Sequence, residues 1–284
     1  MMKSIKYILI IITAVFIYSC DIFDGPYIEK TSFDCNYDSE LPIRKILIED
    51  FTGWKCTNCP QAALEIEDLT NRFPCHIIGI GIHAGYFANV SGGPDFTTDI
   101  GFELGGDGNS SYGFFNVGNQ PIGVINRRNW DNEFKLDYNT WGDSIITFLE
   151  EDVLSNIGIE IETGFDAVSK ELTVDVATKT YGEVDAKLSL IVYLIESHII
   201  APQENGSELD ENYEHNHVLR AGLNGTWGEE ISTLVPVSSN TTFNNSLSFT
   251  LANEWVADNC EVIAIVTNTE TKEVIQVEEH EVID

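Results

Sequence analysis

The spacing of apolar residues changes along the chain, and the change falls near residue 155. From Ile43 to about Glu151, apolar runs suited to buried strands alternate with stretches of helical spacing, a pattern typical of an α/β unit. From Asn156 onward the period becomes two, as in "IGIEIE" and "ELTVDVAT", where apolar and polar side chains fall on opposite faces. Short alternating strands without a convincing helix predict an antiparallel β-sandwich.

The predicted fold class is therefore α/β plus all-β, in two domains. We expect an α/β domain over residues 41–152 and a β-sandwich over residues 153–284. Residues 20–40 are polar, acidic and without periodicity, and we interpret them as a tether. Asn205-Gly206 and Asn224-Gly225 supply turn chemistry. Further strands are predicted at Leu188–Glu196, Leu247–Leu251, Val262–Thr267 and Val274–Val277.

The first residues have the composition of a secretory signal peptide. Lys3 and Lys6 precede an almost wholly apolar segment from Tyr7 to Ile17, which is shorter than the roughly 20 residues of a membrane-spanning helix. The segment leads into "FIYSC", which resembles a bacterial lipobox. That resemblance implies removal of residues 1–19 and acylation of Cys20, so that lipid anchors the chain to a membrane. Ordinary cleavage near Cys20 is the alternative.

The chain is strongly acidic. It carries 15 Lys and Arg against 46 Asp and Glu, a formal net charge of −31 at pH 7. Such a surface repels nucleic acid and anionic lipid head groups. We therefore expect no nucleic-acid partner, and the acidity by itself indicates a well-solvated secreted surface.

Two cysteines three apart, in "EDFTGWKCTNCPQAALEIEDL", are the main candidates for chemistry. The run "RKILIEDF" before them predicts a buried strand. After them Ala62, Ile66, Leu69 and Phe73 form one stripe of a helix, because they recur at helical spacing. Cys56 therefore lies at a strand-to-helix turn, at the positive end of a helix dipole, where a thiolate is favoured.

Strand, C-x-x-C motif and helix together resemble the thioredoxin superfamily, and Asp50-Phe51 stand at that family's offsets before Cys56. The resemblance implies that Cys56 is the attacking cysteine and that Cys59 resolves the mixed disulfide. It further implies that Asp50 moves the proton of Cys59. Trp54, however, is displaced by one residue from the family pattern, and "TN" replaces the usual Gly-Pro between the cysteines, which leaves the reduction potential undetermined.

The same resemblance assigns several later segments. It implies a cis-proline loop opposite the cysteine pair, for which Pro121 in "GNQPIGVINR" is the candidate. "CHIIGIGIH" would be the intervening strand and "TWGDSIITFLEEDV" the last helix of a thioredoxin-like domain. The long insertion from Ala84 to Gly118 is then expected to cover or flank the motif.

Over its whole length the sequence is similar to a narrower group. The "FIYSC" segment, the "FTGWKCTNCPQA" motif and the later "HNHVLRAGLNG" together resemble the 28-kilodalton outer-membrane-protein family of Gram-negative bacteria. That resemblance implies an outer-membrane lipoprotein of the cell envelope. Two functions compete: thiol–disulfide exchange with disulfide-containing envelope proteins, which needs no cofactor, and a non-catalytic adhesin or receptor that uses the β-sandwich to bind host-surface ligands.

The cysteine pair also has two simpler interpretations. It can be a permanent structural disulfide, as an oxidising compartment allows. It can also be half of a zinc site, with further ligands from Cys35, Cys75 or Cys260 and from His76 or His83, although structural zinc needs four ligands and no second close pair is present. We interpret Cys75 as a buried apolar residue and Cys35 with Cys260 as a candidate bridge.

Other polar clusters fit structural roles better than chemical ones. His215 and His217, with Glu214 and His198 nearby, lack a distinctive metal-ligand spacing, so we interpret them as residues of a strand edge or loop and expect no metal. Arg127-Arg128 are rare positive charges on this chain, and we expect them to form local salt bridges.

Overall fold

The computed structural model describes residue 35, residues 37–109 and residues 112–283. The expected signal peptide, the candidate lipidation site Cys20 and most of the expected tether lie outside the described residues. Within the described part of the chain, no helix is long and apolar enough to cross a membrane.

Strands outnumber helices in the described residues. The helices are α1 (Cys59–Arg72), α2 (Asp99–Gly105) and α3 (Trp141–Glu151), with short 3-10 turns at Tyr86–Ala88, Tyr138–Thr140 and Ala257–Asn259. The first strands are β1 (Ile46–Thr52), β2 (Ile77–His83), β3 (Ile122–Ile125) and β4 (Lys135–Leu136). The later strands are β5 (Ile157–Asp166), β6 (Glu171–Thr180), β7 (Leu188–Glu196), β8 (Ile199–Asn205), β9 (Glu208–His215), β10 (Val218–Gly222), β11 (Glu229–Ser232), β12 (Thr242–Thr250), β13 (Cys260–Asn268) and β14 (Val274–Glu281).

The elements around the cysteine motif form where the sequence predicts them. β1 is the buried strand before the motif, and α1 begins at Cys59, with Pro60 in its first turn, where a missing N–H costs little. Ala62, Ile66 and Leu69 of the predicted stripe are buried. β2 and α3 match the predicted intervening strand and last helix.

One large sheet contains strands from both predicted domains. Its order is β14-β13-β7-β10-β2-β1-β3-β4, and β11 also pairs with β7. β1 and β2 are parallel, β3 is antiparallel to β1, and β10 pairs with β2 through Val218 and Gly81. Strands from before and after residue 152 are thus hydrogen-bonded neighbours, while the domain boundary at that residue stays a prediction.

The large sheet separates two hydrophobic cores. Because side chains alternate across a strand, Ile191, Tyr193 and Ile195 of β7 enter one core together with β1, β2 and α2. Leu190 and Val192 of the same strand enter the other core. β13 alternates between the two cores in the same way, which explains why both strands are apolar almost throughout.

The second core lies between two sheets. A three-stranded antiparallel sheet of order β12-β6-β5 contributes Ile161, Val174 and Val176, which pack with Val262 and Ala264 of β13. This packing of sheet on sheet is the architecture of a β-sandwich, and it confirms the predicted β-rich second half of the chain.

A buried ion pair lies beside the core that contains side chains of β1, β2 and α2. Arg127, which follows β3, donates from Nε and Nη2 to the two carboxylate oxygens of Glu49 on β1, at 2.9 and 2.6 Å. Neither side chain is exposed. The Tyr193 hydroxyl of β7 lies 3.4 Å from Arg127 Nη2, and the Trp227 ring lies 5.4 Å from the guanidinium carbon. The predicted salt bridge of Arg127 therefore lies within the first half of the chain, and Tyr193 and Trp227 of the second half contact its guanidinium group.

The pairing of the outlying cysteines differs from the prediction. Cys75 is exposed, at the connection between α1 and β2, and forms a disulfide with Cys35. Its interpretation as a buried apolar residue was wrong, as was the candidate bridge between Cys35 and Cys260. Cys260 is instead a free thiol in the sandwich core, where burial raises its pKa to about 12 and keeps it neutral.

Candidate functional site

The C-x-x-C motif occupies the turn between β1 and α1. Cys56 and Cys59 form a disulfide, and the turn is closed by hydrogen bonds from Cys56 N to Gly53 O and from Cys59 N to Cys56 O, at 2.9 and 3.2 Å. Cys59 is the first residue of α1, so both sulfurs lie at the helix N-terminus, where a thiolate is stabilised by the helix dipole. The exposed fractions are 2% for Cys56 and 1% for Cys59.

Asp50 is a buried carboxyl beneath this turn. It lies on β1 between Gly81 of β2 and Gly123 of β3, and its exposed fraction is 3%. Its Oδ1 atom has no hydrogen-bond partner. Burial therefore raises the pKa of Asp50 to about 8, since an unpaired carboxylate is costly away from water.

Asp50 and Cys59 open into the same cavity. Its volume is about 500 Å³, and it lies between α1, the end of β2 and the segment that joins β9 to β10. Its polar lining includes His83, Gln203 and His215. Asp50 and Cys59 therefore line one cavity.

The two cavity histidines are held neutral. His83 and His215 have ring centroids 5.9 Å apart, and both rings contact Phe96 at 4.9 Å. Burial lowers the pKa of His83 to about 3, with further lowering from His215 and Arg220. Burial likewise lowers the pKa of His215 to about 4.

The insertion between β2 and β3 packs against the front of the motif. Phe87 O accepts a hydrogen bond from Lys55 N at 3.1 Å, and Asn89 O accepts one from Trp54 Nε1 at 2.8 Å. The approach is so close that a Cβ at Gly53 would lie 2.3 Å from the Phe87 carbonyl carbon. The insertion thus flanks the motif, as expected, and covers part of it.

The predicted proline loop lies at the same end of β1. The Gln120–Pro121 peptide bond is cis, as predicted. Pairing of Phe51 with Ile122 brings the loop next to the end of β1. Gln120 Nε2 donates to the carbonyl oxygens of Thr52 and Ala84, both at 2.7 Å, which fixes the loop beside the strand that leads into the motif.

The remaining candidates have structural partners. Arg128 forms salt bridges with Glu151 and Glu273, as expected. His198 Nδ1 lies 2.7 Å from a carboxylate oxygen of Glu214. Among the described residues, no group of three or more His, Cys, Asp or Glu side chains is arranged to hold a metal ion.

Sequence reasoning missed one side chain that contacts the motif directly. Gln203 on β8 is 2% exposed, and its Nε2 lies 3.0 Å from Cys56 O and 3.3 Å from Gly53 O. These contacts join residues about 150 positions apart in the sequence. The residues around Gln203 carry no local sequence pattern that would predict them.

The chain belongs to the outer membrane protein Omp28 family, whose match spans residues 108–283, more than half of the sequence. This confirms the resemblance drawn from the sequence motifs. It also confirms the expected location, because the proteins of this family belong to the outer membrane of the cell envelope. No curated protein sequence matches the chain.

Three solved structures show how far the similarity extends. HBP35 of Porphyromonas gingivalis has a TM-score of 0.61 at 14% identity, covering 84% of this chain and 76% of that one. A domain of the outer membrane lipoprotein Omp28 from Porphyromonas gingivalis is 24% identical, with a TM-score of 0.32 over 45% of this chain and 88% of the domain. A protein of Agrobacterium tumefaciens is 12% identical, with a TM-score of 0.48 over 87% of this chain and 97% of that one. At such identities the likeness to HBP35 concerns the fold alone.

Proposed function

We propose that this outer-membrane protein exchanges thiols and disulfides with partner proteins of the envelope through Cys56 and Cys59. One observation carries the proposal: a buried, unpartnered carboxyl, Asp50, shares a cavity with Cys59 and has a pKa raised to about 8. A proton donor and acceptor works best when its pKa lies near the ambient pH. A purely structural disulfide has no need of such a group.

The surrounding architecture supports the same proposal. We infer that residues 41–152 form a thioredoxin-like domain, because β1, α1 and β2 make a parallel β-α-β unit, followed by antiparallel β3 and by α3. The β-sandwich of residues 153–284 is then the appended domain. In this assignment Pro121 belongs to the loop beside the motif, and no cofactor is required.

The exchange can be written with a partner dithiol as reductant. A partner thiolate attacks Cys56 Sγ, the Cys56–Cys59 bond breaks, and Cys59 leaves as a thiolate that takes a proton from Asp50. The second partner thiolate then attacks the partner sulfur of the mixed disulfide and releases Cys56 as a thiolate. Two electrons pass to this protein, the partner becomes a disulfide, and Asp50 regains a proton from solvent through the cavity. The reverse sequence reduces a partner disulfide.

A second candidate function is favoured by a different observation. Both sulfurs are almost completely covered, as in a structural disulfide, and exchange requires that a partner reach Cys56. A non-catalytic adhesin or receptor, in which a thioredoxin-like scaffold carries a ligand-binding β-sandwich, needs no such access. Host-surface ligands would then be its partners.

Trapping and potentiometry separate the two functions. The variant Cys59→Ser should accumulate mixed disulfides through Cys56 in the cell envelope, because the resolving thiol is gone. These adducts should disappear on reduction and should be absent from the control Cys56→Ser/Cys59→Ser. A reduction potential below about −300 mV, typical of structural disulfides, together with no trapped partner, would reject exchange and leave the binding function.

We further propose that Cys20 is the lipidated N-terminus, because "FIYSC" follows an apolar signal segment and the family is one of the outer membrane. Mass spectrometry of the mature protein is expected to find acyl chains on Cys20 as the first residue, and Cys20→Ser is expected to lose them. An unmodified N-terminus at another residue would contradict the assignment.

A further inference from the structure

The hairpin of β8 and β9 stands apart from the sheets that build the two cores. Its strands pair with each other in a two-stranded sheet of their own, and most of β9 is exposed. An isolated two-stranded hairpin is only marginally stable in water. Contacts with the rest of the protein must therefore hold this hairpin in place.

Those contacts are made with the C-x-x-C turn. Glu204 N donates to Trp54 O at 2.7 Å, and Gly206 N donates to Thr57 O at 2.9 Å. Between them, Gln203 reaches Cys56 O with its side-chain amide. β8 thus runs along the turn as an extra strand would, with backbone donors on both sides of Cys56.

The other strand of the hairpin closes the cavity beneath the motif. Tyr213 and His215 of β9 line that cavity together with Asp50 and Cys59. The His215 ring contacts Phe96, and the Tyr213 ring lies 4.8 Å from His215. One hairpin therefore binds the backbone on both sides of Cys56 along β8 and lines the cavity beside Asp50 with β9.

The hairpin is joined to the large sheet by two sharp bends. His198, before β8, and His217, after β9, have φ angles of 59° and 56°, a left-handed conformation that residues other than glycine rarely adopt. The bends are tied to each other, because His198 N donates to Asn216 Oδ1 and His217 N donates to Ser197 Oγ. Both ends of the hairpin thus turn at one place, so the hairpin is attached to the rest of the chain at a single junction.

From these contacts we infer that the β8–β9 hairpin is a displaceable cap on the cysteine pair. The inference rests on the proposed exchange function and adds its regulation: Cys56 becomes reachable when β8 leaves the turn. A partner that replaces β8 must supply backbone N–H donors to Trp54 O and Thr57 O, as Glu204 and Gly206 do now. Local opening of such an element costs less free energy than global unfolding, so the cap can open while both cores stay folded.

Accessibility of the disulfide tests the cap without any partner protein. The oxidised full chain is treated with dithiothreitol, and new thiols are alkylated at intervals and located by mass spectrometry after trypsin digestion. Cleavage after Lys55 and Arg72 places both motif cysteines in one peptide and Cys75 in another. The exposed Cys35–Cys75 disulfide is then an internal reference for reduction of the covered pair.

Gln203→Ala is the informative variant, since it removes the side-chain link to Cys56 O. It should accelerate reduction of Cys56–Cys59 about tenfold, the effect of losing roughly one or two net hydrogen bonds from the closed state. Gln276→Ala is the matched control, because Gln276 is also a buried glutamine bonded to backbone, at Ile43 and Lys45, but away from the motif. In that control the rate should stay within about twofold of wild type, since no contact of the cap is lost.

Two results would overturn the inference. One is an equal rate of reduction for Cys56–Cys59 in the wild type, Gln203→Ala and Gln276→Ala. The other is reduction of this pair in the wild type as fast as that of Cys35–Cys75. Hydrogen exchange distinguishes local opening of the cap from general unfolding of the variant. The amides of Glu204 and Gly206 should exchange faster in Gln203→Ala, while those of β7 should keep their protection. Accelerated reduction together with a potential below about −300 mV and no trapped partner would support the cap and reject the exchange function.

Discussion

Ionisation of the buried Asp50 carboxyl destabilises the folded protein. Its unfolded pKa is near the ordinary value of 3.8, and in the folded state burial raises the pKa to about 8. Between these values the folded protein binds one more proton than the unfolded chain, so this group makes stability fall as pH rises. Its favourable effect is complete below the unfolded pKa and is lost as pH passes through the folded one.

Replacement of Asp50 with asparagine should remove that dependence. Between pH 6.5 and 8.5 the free energy of unfolding of the wild type should fall by roughly 1–2 kcal/mol more than that of Asp50→Asn. Asp131→Asn, which alters an exposed carboxyl, should behave like the wild type. Urea unfolding of the oxidised proteins at the two pH values measures the difference.

The pH range is chosen to exclude the cavity histidines. His83 and His215 have lowered pKa values, so their effect has the opposite sign: they reduce stability as pH falls below about 6.5, where the unfolded chain takes up protons first. Equal slopes for Asp50→Asn and wild type above pH 6.5 would show that the Asp50 carboxyl is hydrated and ionised, and would remove the main support for its role in proton transfer.

Among the elements, those with a strong local period could be predicted and those without one could not. α1 and β1 follow directly from apolar spacing, and β5 and β6 from strict alternation. The turn of the cap hairpin at Asn205-Gly206 was predicted, but its strands were missed, because β9, "ELDENYEH", is mostly exposed and polar. Its position depends on contacts with a turn far away in the sequence, and such contacts leave no local period.

Two further features of the elements required the structure. Strand neighbours cannot be deduced from spacing alone, although the unbroken apolar run of β7, "LSLIVYLIE", carries a signal: a strand without alternation is buried on both faces. Cysteine pairing cannot be deduced either. The place of the motif cysteines could be predicted because neighbouring residues encode a strand-to-helix turn, and Asp50 was a candidate through the resemblance to thioredoxins. Cys35 and Cys75, by contrast, meet only through the path of the folded chain.

The whole molecule is organised around the sheet that both halves share. β10, from the second half, pairs with β2 from the first, and one core contains side chains from both halves. The Glu49–Arg127 pair adds a polar link, because its charged groups meet Tyr193 of β7 in the same core. Two domains connected in this way should unfold together.

Arg127→Met tests the buried ion pair that Tyr193 of the second half contacts. It leaves the Glu49 carboxylate buried without its partner, so the free energy of unfolding should fall by about 3–5 kcal/mol. Arg72→Met, which removes an exposed pair with Asp68 on α1, should cost about 1 kcal/mol or less. The double variant Glu49→Leu/Arg127→Met should recover part of the loss, because it leaves no unpaired charge in the core.

Tryptophan fluorescence and far-ultraviolet circular dichroism should report one coincident transition in the wild type. Two separated transitions would mean that the halves fold independently and that the shared sheet does not couple the cysteine site to the β-sandwich. Equal losses for Arg127→Met and Arg72→Met would mean that the buried ion pair contributes no more stability than an exposed one.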